Sequence, residues 1–263
     1  MSIRAYPEVP LLQKDLIDDG QGYYPTKIGF DVVGFGNTVG NTRVDVCNIG
    51  AAEAAAVYVF PPAGGIQMRI ISTSANDDGN PVGTGVRTLR IHYLDANYAV
   101  QSEDLTTNGT TAVTTIATNI LRVQEVHTLT AGSLGAAGGD ITLENTAGTV
   151  VYARMATGYN RSRNGVFTIP AGKTGYLTHW NAFSGTSIGT HYTRFTLRAT
   201  THDNTLLSVF VAQDAKGNLN GGDETYYDIP IRLPAQTDIK VSVVSDAAGA
   251  NALCNTHISG WYE

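Results

Sequence analysis

The sequence predicts an all-β chain of sandwich or jelly-roll type. Three observations predict it. Apolar and polar side chains alternate in short runs along most of the chain, and turns marked by glycine, proline and Asx residues punctuate those runs. No regular helical period separates them.

Residues 1–41 read as an extended N-terminal arm, broken by Pro7, Pro10 and Pro25, with at most a short helical turn at 11–17. In an assembly such an arm can lie on a neighbouring subunit. The alternation sets in at Arg43-Val-Asp-Val-Cys-Asn-Ile49, which places one set of side chains on a core and the other toward water. Strands are expected at 54–60 and 66–72, around the turn Pro61-Pro-Ala-Gly-Gly65, and then at 86–94 and 98–105 across Asp95-Ala-Asn97. Further strands follow at 113–116, 121–129, 141–143 and 150–155. Residues 51–56 have helical propensity but are short and flanked by strand-like runs.

The second half repeats this grammar, with strands expected at 166–169, 174–183, 192–199, 206–211, 226–233, 239–244 and 253–262. Three short matches share one offset of 108 positions: Pro62-Ala-Gly64 with Pro170-Ala-Gly172, Thr88-Leu-Arg90 with Thr196-Leu-Arg198, and Asp95 with Asp203. They point to two related β units, 42–160 and 161–263, the second standing alone or completing one joint sandwich. The 29 glycines fit many tight turns.

The formal charge of −6 argues against an extensive nucleic-acid-binding surface. No segment reaches eighteen continuous apolar residues, so no membrane span is expected. Cys47 and Cys254 lie in apolar contexts without metal-ligand spacing and read as buried free thiols, a disulfide between them being the other reading.

No GxSxG, HExxH, P-loop or CxxC pattern occurs, and Gly34-Phe-Gly36 fails the dinucleotide fingerprint. The six histidines form no recognisable ligand motif. The chain is therefore expected to be no enzyme, with no catalytic, cofactor-binding or metal residue assigned. Two polar stretches offer oxygen ligands, Asn76-Asp-Asp-Gly-Asn80 and residues 214–224. Asp77 and Asp223 would be the first calcium ligands if an ion were bound, but polar turns are the simpler reading. Glu103 and Asp104 are adjacent in a strand, so they face opposite ways and make a poor acid/base couple. Trp180, Trp261 and the 13 tyrosines could furnish a carbohydrate platform, though core or subunit contacts suit most of them better.

Several stretches carry a family likeness. They include Ser72-Thr-Ser-Ala-Asn-Asp77, Gly83-Thr-Gly-Val-Arg-Thr-Leu-Arg-Ile-His-Tyr-Leu-Asp95 and Glu103-Asp-Leu-Thr-Thr-Asn-Gly-Thr-Thr111. Arg122-Val123, Gly138-Gly-Asp-Ile141, Ile169-Pro-Ala-Gly-Lys-Thr-Gly-Tyr176, Thr237-Asp-Ile-Lys240 and Ile258-Ser-Gly-Trp261 extend it. Together they resemble virion structural proteins of tailed bacteriophages, over most of the chain after Ile66. The resemblance implies a non-catalytic particle component, foremost a capsid decoration or cement protein on the outside of the head. Such proteins bind the major capsid protein, frequently as homotrimers. A tail, neck or baseplate component and a receptor- or carbohydrate-binding module are the alternatives. The arm lies outside the familiar stretches.

Overall fold

The computed structural model describes residues 27–186, 191–200, 209–218, 221–247 and 251–263. The chain is all-β, and its strands build two packed jelly rolls, one inserted into the other.

The host roll begins with β1 (Ile28–Val39) and β2 (Val44–Asp45). It resumes 120 residues later with β10 (Val166–Thr168), β11 (Gly175–Thr186), β12 (Thr193–Thr200), β13 (Phe210–Asn218), β14 (Gly221–Leu233), β15 (Asp238–Ser245) and β16 (Asn251–Tyr262). One sheet has the order β1-β16-β11-β14, and the other β10-β15-β12-β13 with β2 also on β15.

β2 and β10 are two halves of one strand. Val44 and Asp45 pair with Val243 and Ser242, Val46 N–H bonds the Val241 carbonyl, and Val166–Thr168 pair with Lys240 back to Asp238. Counting this split strand as the second, the sheets run first-eighth-third-sixth and second-seventh-fourth-fifth. That is the strand order of an eight-stranded jelly roll with its two Greek keys.

The inserted roll holds β3 (Met68–Ser72), β4 (Val86–Asp95), β5 (Val100–Thr106), β6 (Val113–Thr114), β7 (Ile120–Ala131), β8 (Ile141–Asn145) and β9 (Val151–Met155). Its sheets are β6-β3-β8-β9 and β5-β4-β7. The pairing scheme repeats that of the host: β3 joins β6 and β8 as β11 joins β14 and β16, and β4 joins β5 and β7 as β12 joins β13 and β15. β9 lies beside β8 where β1 lies beside β16, but follows its partner in the chain instead of opening the roll. The Thr-Leu-Arg triplets fall on equivalent strands, with Leu89 in β4 and Leu197 in β12 both fully buried, and the Pro-Ala-Gly triplets fall in the turns before β3 and β11. Asp203 lies outside the described residues.

Each roll has its own core. Phe30, Leu177, Trp180, Phe195, Val241 and Ile258 fill the host, while Met68, Ile70, Leu89, Ile91, Val126 and Leu143 fill the inserted roll. Alternation explains which side chains go in; in β4, Leu89, Ile91 and Tyr93 are buried and Arg90 and His92 are not.

The structure corrects several expectations. Residues 28–39, read as part of the arm, form β1 along the whole of β16, because their alternating Phe30 and Val32 complete the host core. Residues 1–26 lie outside the described residues. Residues 51–53 form one 3-10 turn, and 54–60 make only isolated bridges at Ala54 and Ala56. Residues 214–224, expected as a polar loop, are mostly strand, in β13 and β14.

The chain leaves the host roll after Val46 and returns at Gly165, where backbones cross closely. A Cβ on Gly34 or Gly165 would overlap the Val46 carbonyl oxygen, and Gly165 sits at φ +63°. Glycine is required at both positions by contact, and at the second by conformation as well. Asp45 fastens the exit: its carboxylate accepts hydrogen bonds from Lys240 Nζ (2.8 Å), Ser242 Oγ (2.7 Å) and the Tyr58 backbone N–H (2.8 Å).

Candidate binding surface

The outer face of the sheet β1-β16-β11-β14 carries the candidate site. Strand register builds it in cross-strand rows. Val33 pairs with His257, His257 with Asn181, and Asn181 with Glu224. In the next row Asn255 pairs with Phe183, and Phe183 with Gly222. Alternate neighbours such as Trp180, Ala182 and Ile258 point inward, so these side chains face out. Together with Asp223 they line a groove of about 590 Å³, within the usual range of roughly 300–1,000 Å³ for small-molecule sites.

Phe183 is 44% exposed. Gly222, opposite it, has no side chain to cover the ring, and a Cβ there would stand 3.3 Å from the ring edge. The groove thus has one bare aromatic surface flanked by two amides, the Glu224 carboxylate and an imidazole, while Asp223 at its rim turns toward Lys216.

Beyond one end of the groove lies a titratable row. His257 is hydrogen-bonded to Asp31, and this bond, ahead of neighbouring positive charge, holds the Asp31 carboxyl below its usual value. The His179 ring stacks on Tyr226 at 4.3 Å between centroids and meets His257 edge-on at 5.5 Å. Its Nε2 lies 3.7 Å from Glu224 Oε2. Burial, and then repulsion from His257, holds the His179 imidazole below 6.5 despite Glu224. Arg161 links this row to the inserted roll: its guanidinium lies 3.8 Å from Asp31 and 2.5 Å from Glu125 on β7.

The residues singled out in the sequence take other roles. Asp77 is fully buried, and its carboxylate accepts hydrogen bonds from Ser72 Oγ (2.6 Å) and from the backbone N–H groups of Val86 (2.8 Å), Gly138 (2.8 Å) and Gly139 (2.9 Å). It pins two loops of the inserted roll and has its oxygens occupied. Asp223 lies 3.6 Å from Lys216 Nζ at the rim of the groove. No group of three or more metal-ligating side chains occurs among the described residues. Glu103 and Asp104 do face opposite ways: Glu103 accepts from the backbone N–H groups of Ile116 and Ala117, and Asp104 takes Arg90 in a bidentate pair.

Neither tryptophan is a platform. Trp180 is fully buried, and its indole N–H donates to Asp214 Oδ2 at 2.9 Å; Trp261 is buried with Tyr176 stacked on it at 5.2 Å. Both cysteines are buried, and burial pushes the Cys47 thiol up to about 12. Sequence reasoning missed Phe183, Asn181, Asn255 and His257. Only an outward aromatic in a polar-alternating strand hinted at the first of them.

No protein-family model and no curated protein matches the chain. The fold has a distant, low-identity structural resemblance to virus-particle proteins. One is a structure of infectious bursal disease virus Gx strain (13% identity, 90% of this chain and 77% of that chain, TM-score 0.21). Another is the VP2 subviral particle of the same virus (11% identity, 90% and 74%, TM-score 0.21). It is similar at the same distance to the tandem CBM22 domains of Paenibacillus barcinonensis Xyn10C (10% identity, 90% and 94%, TM-score 0.25).

Proposed function

We propose that this chain is a non-enzymatic binding protein of a virus particle, and that the outer-sheet groove is its recognition surface for a receptor or carbohydrate. The observation that carries the reading is the bare Phe183 ring between Asn181, Asn255 and Glu224. An apolar surface flanked by a few placed polar groups is the usual composition of a binding site. The carboxylates and imidazoles described around it are held in ion pairs and hydrogen bonds, which suits binding rather than proton transfer. The strand register supports the same reading, since it fixes Phe183, Asn181, Asn255 and Glu224 on three hydrogen-bonded strands. The likeness of the sequence to bacteriophage virion proteins supplies the virion setting.

An antibody against the folded chain should label intact particles and block their attachment to host cells. Absence of the chain from purified particles would overturn the reading.

Capsid decoration is a second reading, with a major capsid protein as partner and a homotrimer as the assembly. The edge strand β14 favours it. Its register with β11 jumps from Ile231 opposite Leu177 to Tyr226 opposite His179, which leaves 227–230 as a wide bulge. Ile229 on that bulge is 86% exposed and Tyr226 is 69% exposed. Apolar side chains on an unpaired edge suit a contact with another subunit.

A further inference from the structure

The geometry points to a neutral pyranose sugar as the ligand of the groove, with anionic sugars excluded. This rests on the recognition reading given above and names its ligand class.

A pyranose presents a C–H face and a rim of hydroxyls. The groove offers a surface for each. Phe183 stands as an uncovered ring, because its cross-strand neighbour is Gly222. An aromatic ring takes an apolar face with large contact area and little ordering cost. Around it, the side-chain amides of Asn181 and Asn255 can both donate and accept, and Glu224 accepts. Adjacent hydroxyls need such mixed donors and acceptors, because each is donor and acceptor at once.

These groups sit on three neighbouring strands held in register, so the groove is set before the ligand arrives. Pre-set polar groups lower the ordering cost of binding.

The sign of the charge selects among sugars. The outward row supplies one carboxylate, Glu224, and neither lysine nor arginine lines the groove; Asp223, opposite inward-facing Ala182, turns to Lys216. The nearest cations are engaged elsewhere. Lys216 lies against Asp223 with its side chain only 3% exposed, and Arg161 is held by Asp31 and Glu125. His257 is hydrogen-bonded to Asp31. A carboxylate or sulfate on a sugar would meet like charge without a free partner, which is strongly unfavourable.

The test is titration of the full chain with lactose, maltose, cellobiose and chitobiose as neutral probes, and with sialyllactose as the anionic one. At least one neutral disaccharide is expected to bind. Phe183→Ala should weaken that binding by about tenfold or more, and Asn255→Ala should weaken it as well. The melting temperature checks that each variant is folded, which the exposure of Phe183 favours.

Neutral binding that Phe183→Ala leaves unchanged would overturn the placement of the site. Sialyllactose binding as tightly as lactose would overturn the charge argument, while carbohydrate recognition stands. If no probe binds although antibody against the chain still blocks particle attachment, the sugar assignment fails and the recognition reading survives.

Discussion

The Arg122 guanidinium on β7 grips the Asp238 carboxylate at the head of β15 through two hydrogen bonds of 2.8 and 3.0 Å, both groups being buried. The pair ties the inserted roll to the host roll. Thr168 Oγ1 adds a 2.6 Å bond to Asp238, and the guanidinium lies 4.5 Å from the Phe60 ring centre. Gln124 exchanges both amide bonds with the Thr168 backbone next to it. Removing one partner leaves the other as an uncompensated buried charge, which costs about 3–5 kcal/mol. Arg122→Ala and Asp238→Ala should each lower urea-unfolding stability by that amount, and the double variant should fall well short of the sum. Additive losses would show that the two groups do not depend on each other.

The crossing point at Gly34 and Gly165 should be equally intolerant. Gly34→Ala meets the Val46 carbonyl and Thr256 Oγ1, and Gly165→Ala also carries a positive φ. Overpacking of this kind costs about 1–3 kcal/mol, and left-handed backbone strain adds to it. Gly217→Ala meets nothing within 4 Å and is the control, expected within about 0.5 kcal/mol of the parent. Thermal melts of the three variants check the order; equal stability of all three would contradict the close crossing.

Much of this fold was legible. The Asp95-Ala-Asn97 hairpin was, because Asp95 Oδ1 accepts from the backbone N–H groups of both Asn97 and Ala99 in a local turn. The 108-residue offset was too, because equivalent strands keep equivalent buried leucines. The split strand was not, since Val44–Asp45 and Val166–Thr168 are short pieces far apart in sequence, joined only by their common partner β15. β1 was hidden for a related reason: it follows a proline-marked segment, and its partner is the last strand of the chain. The groove was illegible because its residues come from four strands and become neighbours only through register.

Asp77 is a structural pin, and its behaviour should show it. Asp77→Ala strands a buried hydroxyl and three backbone donors, at about 1–3 kcal/mol or more. The parent chain should melt at the same temperature with and without a calcium chelator. A drop in melting temperature on chelation would restore the calcium reading of this loop.

Acidification should destabilise the chain in the histidine range. His179 and His92 are both held below 6.5, chiefly by burial and then by their histidine neighbours His257 and His127. Glu224 opposes this at His179, and Glu125 and Asp104 oppose it at His92, without prevailing. The unfolded chain therefore binds more protons than the folded one as pH falls through 6.5, so stability present above that pH is lost below it. Asp31 works in the other window, its contribution being lost only as pH falls below 3.8 toward its lowered folded value. Melting curves between about pH 7.5 and 5 should show a falling midpoint, flattened in the His92→Gln, His179→Gln double variant. A midpoint that rises on acidification would contradict the assignment.

The proposed binding role of this chain at the surface of a virus particle can be checked by electron cryomicroscopy of intact particles that contain it. Two-lobed density is expected on the outside of the particle, with the β1-β16-β11-β14 face and Phe183 turned to solvent. Density in the particle interior, or that face sealed against a neighbouring subunit, would contradict it.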